Sequence, residues 1–292
     1  MSKKPKVGMW SGLTAVTAVL TAGAIVGTTV AFHYTTTVNN YLDADTYKII
    51  RGDSDEDTEY FKSDFTSDEE RESYEAELCA QVEAEGAALL KNDNNALPLA
   101  SGAKVSLFGH GSVDLMYGGT GSGSVDTSKA PNFKQALEDQ GIQVNSTLWD
   151  LYSSDDMMKN YSRITPAAIS DTLEANTQYA VNEAPWSKLS SAESSFADYG
   201  DAAIVVFSRS GGEGADLPSG ENGTNDSWIK GQEGDGNYLA LSAEEKELLQ
   251  NLKTLKDNGT FKKIIVLINS SNAIEMDFLN PEICGEDYGI DS

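Results

Sequence analysis

The chain has 292 residues, 39% of them hydrophobic and 9% aromatic, which is enough apolar material for one large or two small domains and excludes a disordered protein. Its 21 Lys and Arg against 46 Asp and Glu leave a formal charge of −25, which repels phosphate backbones and sets nucleic acid aside as a partner. His33 and His110 leave almost no material for a Ser-His-Asp triad. With Cys79 and Cys284 they match no zinc-ligand spacing, so the expectation is no metal, no cofactor, and two buried free thiols in preference to a disulfide.

The chain opens with Lys3, Lys4 and Lys6, followed by a run from Met9 to Phe32 without a charged residue. As a helix that run spans about 35 Å, enough to cross a bilayer core of about 30 Å. Lysines before it and acids after it (Asp43, Asp45, Asp53, Asp55, Glu56, Asp57) predict the N-terminus inside and the rest outside. A cleaved signal peptide is the rival reading. The apolar length exceeds the usual signal core and no clear cleavage site is present, so an uncleaved anchor at the cell membrane is favoured, with Trp10 and Tyr34 at its edges. This gives a cytoplasmic basic tail at 1–8, a transmembrane anchor at 9–32, an acidic stalk at 33–68 and a folded domain at 69–292.

The folded part begins with "DEERESYEAELCAQVEAEGAALLKND". Here Tyr74, Leu78, Val82 and Leu89 recur near helical spacing and predict an amphipathic helix that packs on the elements C-terminal to it. Val105–Phe108 reads as a buried strand, and "APNFKQALEDQG" as a helix with Pro131 near its start and Gly141 just past its end. A short strand "IQVN" and a long one, Ala202–Ser208, come next. In "LSAEEKELLQNLKTLKDNG", Ser242 and Glu245 form a capping box, Leu248, Leu249, Leu252 and Leu255 an apolar face, and Gly259 a stop. "KKIIVLINSS" is one more buried strand. Continuous Val/Ile runs alternating with helices define an α/β fold, a mostly parallel sheet with helices on both faces.

In such sheets the loops leaving the C-terminal strand ends carry function. Here they are "GHGSVDLMYGGTGSGS", "SRSGGEGADLP" and "NSSNAIEMDF", all predicted at one edge. Taken alone, "GGTGSG" (Gly118, Gly119, Thr120, Gly121, Ser122, Gly123) reads as a flexible turn. It misses the phosphate-loop pattern because Ser124 stands where lysine is needed, so a nucleotide function is the weaker choice. Two acids on a glycine-rich loop, Glu213 and Asp216, are the outstanding candidates for chemistry. Read from "GEGAD" by itself they are solvated loop acids.

Six segments in order, "EGAALLKNDNNALPL", "KVSLFGHG", "GGTGSG", "AIVVFSRSGGEGAD", "YLALSAEEKELL" and "KKIIVLINSSNAIEM", resemble the α/β sandwich domain of family-3 glycoside hydrolases, the β-glucosidase group. The resemblance spans about Glu77 to Met276. It implies a retaining β-glycosidase acting on a β-glycoside or oligosaccharide. In that family a (β/α)8 barrel supplies an aspartate nucleophile and a sandwich loop supplies the acid/base. The family's "GEGxD" pattern places that acid/base on Glu213 and its aspartate, a loop-positioning or substrate-binding residue, on Asp216. Leu217 replaces the arginine that often comes next. "GGTGSG" would line the same cleft. In a closed apolar cleft the acid/base carboxyl is expected to have a raised pKa.

A barrel needs roughly 250 residues, and neither a Ser-Asp-Trp nucleophile segment nor the usual Lys-His barrel motif occurs in this sequence. An anchor leading directly into the sandwich resembles members of inverted order, with the barrel downstream. The chain is therefore expected to be a C-terminally incomplete fragment, inactive alone, that stops before a closing strand. The alternative is a noncatalytic carbohydrate-binding or scaffold module of the same fold. Among other polar residues, Glu275 reads as a helix N-terminal acid in preference to a sugar contact, and His110 as a strand-end residue in preference to a ligand. Trp149, Trp186 and Trp228 read as packing in preference to sugar stacking, and Asn222 to Thr224 is one of several glycosylation-like triplets.

Overall fold

The computed structural model describes residues 7–42, 61–123, 125–165, 179–213, 217 and 237–292. The chain divides into two compact units, Met1–Val82 and Glu83–Ser292.

Helix α1, Val7–His33, occupies the apolar run. Its stretch Trp10–His33 is long and apolar enough to cross a membrane by length and composition. The hydroxyls of Thr14, Thr17, Thr28 and Thr29 each donate to the carbonyl four residues earlier, at 2.8–2.9 Å. That local bond satisfies a side-chain donor inside the helix and makes threonine compatible with an apolar surrounding. A short α2, Thr35–Tyr41, comes next, where only stalk was expected. The most acidic part of that stalk, 43–60, lies outside the described residues.

A helix forms where an amphipathic one was expected, as α3, Asp68–Gly86, but it ends before Leu89 and its apolar residues make no marked stripe. Ser67 accepts the Glu70 N–H, Glu70 accepts from Thr66, and Asp68, Glu69 and Glu70 fill the first turn, where the helix dipole favours anions. None of its residues is buried, however, and Tyr74, Leu78 and Val82 are exposed. The helix owes its formation to local capping and propensity; burying a face requires a partner that local sequence does not supply. The two cysteines were expected to be buried, but Cys79 is exposed and Cys284 half-buried.

Among the described residues the second unit is built on four strands, β1 Lys104–Phe108, β2 Gln143–Val144, β3 Ala202–Arg209 and β4 Ile264–Ser270. They lie in the order β2-β1-β3-β4, and every pairing is parallel. The period-two alternation of the strands divides the apolar residues between two faces. Phe108, Ala203, Val205, Phe207 and Ile264 join one cluster, while Val105, Leu107, Ala202, Ile204 and Ile265 join another. Helix α7, Ala243–Asp257, lays Leu248, Leu249 and Leu252 on the first. Helix α4, Phe133–Asp139, packs Phe133 and Leu137 on the second. Asn132 caps α4, so Pro131 precedes the cap, and Gly141 lies past the helix at φ +78°. At the far edge Val266 N–H donates to the Ser292 carbonyl and Asp291 N–H to Ile264, so the last residues begin to pair with β4.

Helices α5 Ser146–Tyr152 and α6 Asp155–Asn160 also escaped the sequence pattern. Each is too short to show periodicity, and each starts at a local cap, Asn145 or Ser154. Trp149 and Trp186 both pack against apolar clusters, and Trp228 lies outside the described residues.

Arg209 closes β3 in full burial. Its Nε donates to Tyr238 O at 2.7 Å, and Nη1 to Ser208 O and Glu245 Oε1 at 3.0 and 2.8 Å. Nη2 donates to Ala240 O and Glu245 Oε2, both at 2.7 Å. All five guanidinium donors are thus satisfied. Glu245 also completes the capping box of α7, so one carboxylate caps a helix and neutralises a buried cation. Removing either partner leaves a buried charge uncompensated, and Arg209→Met or Glu245→Gln should each cost about 3–5 kcal/mol in urea unfolding. The double variant should lose clearly less than the two single losses added together. Additive losses would show that the two groups are independent.

Candidate active site

Because all the strands are parallel, the loops after β1, β3 and β4 leave from the same edge, and the structure brings the three expected loops together. Thr120 forms an isolated parallel bridge with Gly212. Ser271 Oγ donates to Gly211 O at 3.2 Å, tying the third loop to the second. Asn269, at the end of β4, accepts the Met116 N–H and donates to Met116 O at 3.0 Å, holding the first loop.

Glu213 sits where these loops meet. Its Oε2 accepts the Ser122 backbone N–H at 2.8 Å, and its carbonyl accepts the Thr120 hydroxyl at 2.9 Å. Gly121 has φ +69°, and a Cβ there would stand 2.5 Å from Glu213 Oε2 and 2.6 Å from its Cβ. Only glycine permits both the conformation and the approach. On the other strand of the bridge, a Cβ at Gly212 would fall 2.4 Å from Thr120 N. Gly121 and Gly212 are therefore needed for loop-to-loop contact, and the reading of "GGTGSG" as a flexible turn gives way to a held loop. Gly118 and Gly119 lead into that contact, and Gly123 comes just after it. Asp216 and Ser124 lie outside the described residues.

The electrostatics of Glu213 run opposite to the sequence expectation. The side chain is exposed, and the hydrogen bond from the Ser122 N–H holds its carboxyl below the ordinary glutamate range. The raised pKa was expected from burial in a closed apolar cleft, and among the described residues no apolar wall covers Glu213.

Beneath the loops lies a set of polar residues that carried no sequence signal. Glu183 is buried, with Oε2 accepting the His110 N–H at 2.7 Å and Oε1 the Ala184 N–H at 3.0 Å. Burial pushes its pKa up to about 7, only partly offset by His110 and these amides. His110 is a buried strand-end residue whose Nε2 lies 3.0 Å from Asp114 Oδ2, and Arg163 reaches the same oxygen at 2.9 Å. Burial works to raise the Asp114 pKa, but His110 and Arg163 hold it below the usual range. Beside this cluster a cleft of about 370 Å³ is lined by Asp114, Met116, Tyr117, Gly118, Phe133 and Arg163. Its size suits a small ligand. Glu275 caps no helix: it precedes the short 3-10 turn Asp277–Leu279 and accepts from Asn237 at 2.6 Å. Among the described residues no cluster of His, Cys, Asp and Glu could hold a metal ion.

A four-stranded parallel α/β unit with a glutamate held between two glycine loops at its C-terminal edge is the architecture the sequence pattern anticipated. Residues 87–285 match the family model of the glycosyl hydrolase family 3 C-terminal domain, and the chain belongs to that family. It is 31% identical over 216 residues to β-glucosidase A of Butyrivibrio fibrisolvens, covering 68% of this chain and 23% of that protein. A β-glucosidase of Ruminococcus albus is 30% identical over 207 residues, covering 70% of this chain and 18% of the relative. A solved β-glucosidase from Paenibacillus barengoltzii superposes with a TM-score of 0.50 at 25% identity, over 72% of this chain and 20% of that one. The chain thus spans about a fifth of each protein it matches.

Glu183 makes a pH prediction. Its folded pKa of about 7 stands above the ordinary 4.5, so the folded state binds the proton more tightly. The stabilisation is complete below about pH 4.5 and is lost as pH rises through 7, a change on the order of 3 kcal/mol. Thermal unfolding from pH 5 to 8 should therefore show a steeper fall for the native chain than for Glu183→Gln. Parallel curves would mean that Glu183 ionises normally.

Proposed function

We propose that this chain is the membrane-anchored part of a retaining β-glycosidase of β-glucosidase type that hydrolyses O-glycosyl bonds. In this reading Glu213 is the acid/base, Asp216 and the Gly118–Gly123 loop position the loop or substrate, and the nucleophile comes from a downstream (β/α)8 barrel of the same polypeptide. The observation that carries it is the presentation of Glu213 at the common loop edge, gripped by the Thr120 hydroxyl and the Ser122 N–H, in a family 3 domain whose relatives are β-glucosidases.

A retaining enzyme holds two carboxyls about 5–5.5 Å apart. The nucleophile attacks the anomeric carbon while Glu213 donates its proton to the departing glycosidic oxygen, leaving a glycosyl-enzyme ester. Glu213, now a carboxylate, takes a proton from water as the water oxygen attacks the same carbon, and the ester bond breaks. The hydrogen bond from the Ser122 N–H suits the carboxylate of the second step. The first step requires the proton, and the apolar wall that would raise the pKa has to come from the apposed barrel.

Positioned proton transfer contributes about 10² to 10⁴ in rate. In the enzyme carrying its barrel, Glu213→Gln should slow substrates with poor leaving groups by that order. It should spare bond breaking with dinitrophenolate, and it should regain turnover with azide, yielding a β-glycosyl azide. Asp216→Asn should show neither effect. A Glu213→Gln enzyme of near-normal activity on a natural disaccharide would point to another carboxylate or to a noncatalytic module. This chain alone, lacking the nucleophile, should hydrolyse aryl β-glycosides no faster than its own Glu213→Gln variant.

The anchor at 9–32, with the basic tail at 1–8 inside and the stalk and domain from 33 onward outside the cell, rests on the length and apolarity of α1. Alkaline carbonate washing should leave the protein in the membrane fraction. Release, or a mature N-terminus downstream of Phe32, would establish a cleaved signal peptide instead.

A further inference from the structure

The contacts around Glu213 contain a positioning device on a different loop from Glu213 itself. The Thr120 hydroxyl has one proton, and the geometry gives it to the Glu213 carbonyl at 2.9 Å. Tyr179 OH lies 2.9 Å from the same Thr120 oxygen, and with the threonine proton already committed the tyrosine must be the donor. Tyr179 is fully buried and lies beside Tyr238, whose hydroxyl accepts the Ser210 N–H at 2.8 Å and donates to Ser210 O at 3.0 Å. The start of the Glu213 loop is thus fixed by Tyr238, and its catalytic end is fixed through Thr120 by Tyr179. Val181, Leu217 and Leu239 complete the apolar cluster under both tyrosines.

We propose that Thr120 is the positioning residue for Glu213: its hydroxyl, oriented by Tyr179, pins the Glu213 main chain so that the Ser122 N–H meets the carboxylate over Gly121. Its catalytic meaning rests on the reading of Glu213 as acid/base; the clamp itself does not. Ser122 acts through its backbone, so its side chain is dispensable. Thr120 acts through its hydroxyl and the bridge to Gly212, so serine can replace it and valine, of the same shape, cannot.

Two readouts separate the clamp from the chemistry. In the full chain in detergent, labelled with ¹³Cδ-glutamate and assigned by loss of the signal in Glu213→Gln, the Glu213 carboxyl should titrate below the ordinary glutamate range. Thr120→Val should move the midpoint up towards that range, Thr120→Ser should leave it in place, and Tyr179→Phe should give an intermediate shift. In the enzyme carrying its barrel, Thr120→Val should lower kcat/KM for a poor leaving group by about 10²-fold, the cost of misplacing a reacting group by about 1 Å. It should affect dinitrophenyl substrates far less, and serine should restore most of the loss. A Glu213 midpoint and leaving-group dependence both unchanged in Thr120→Val would overturn the clamp and leave the acid/base reading standing. A midpoint that moves, in an enzyme whose Glu213→Gln variant stays active, would establish the clamp and remove Glu213 from the chemistry.

Discussion

The fork of Arg209 organises the whole edge on which the candidate site stands. A guanidinium in full burial is costly unless every donor finds an acceptor, and here the five acceptors come from three places in the chain: the end of β3, the Tyr238–Ala240 segment and the first turn of α7. Satisfying one side chain therefore fixes where β3 stops, where the Glu213 loop begins and where α7 starts. The apolar faces of the sheet supply most of the burial. They are permissive about the relative placement of segments beyond the strand ends, whereas a planar fork with five directed donors is not.

Two glutamates show how local surroundings divide one side-chain chemistry into two behaviours. Glu183 lies in the interior, where desolvation disfavours its charge more than two amide donors favour it. Glu213 lies at the surface, where a single amide donor is enough to favour the anion. Structural support for the site is therefore a network of carboxylates and cations below the loops, while the residue proposed for chemistry remains open to whatever covers that edge. On the proposed reading of Glu213, that exposure leaves its carboxyl accessible to a nucleophile carried by another domain.

Much of the fold was legible. The apolar runs of β1 and β3 read directly as parallel strands, since a strand buried on both faces carries no polar alternation; β4 was read the same way but is buried only at Ile264 and Ile265, with Leu267 exposed. The α7 capping box was visible because Ser242 and Glu245 are three residues apart in a helix start. Gly141 and Gly259 marked stops that the structure realises with positive φ. Helices α5 and α6 were not legible, since one or two turns leave no period to detect. For α3 the spacing of Tyr74, Leu78 and Val82 predicted a helix, and periodicity carries no record of what covers a face.

For the site, sequence determined the ingredients: a glutamate between glycines after a buried strand, a second glycine-rich loop after another, and a family pattern joining them. Local chemistry is enough for this, because glycine, capping residues and apolar runs each act over a few positions. The tertiary structure decided that Thr120 and the Ser122 amide grip Glu213, that its carboxyl is held low and not raised, and that Glu183 and Arg209 are buried beneath it. Thr120 and Ser122 stand 93 and 91 positions from Glu213 in the chain. Ionisation and hydrogen bonding depend on the neighbours that arrive in space and on the water they displace, and a linear order of residues specifies neither until the sheet has brought its loops to one edge.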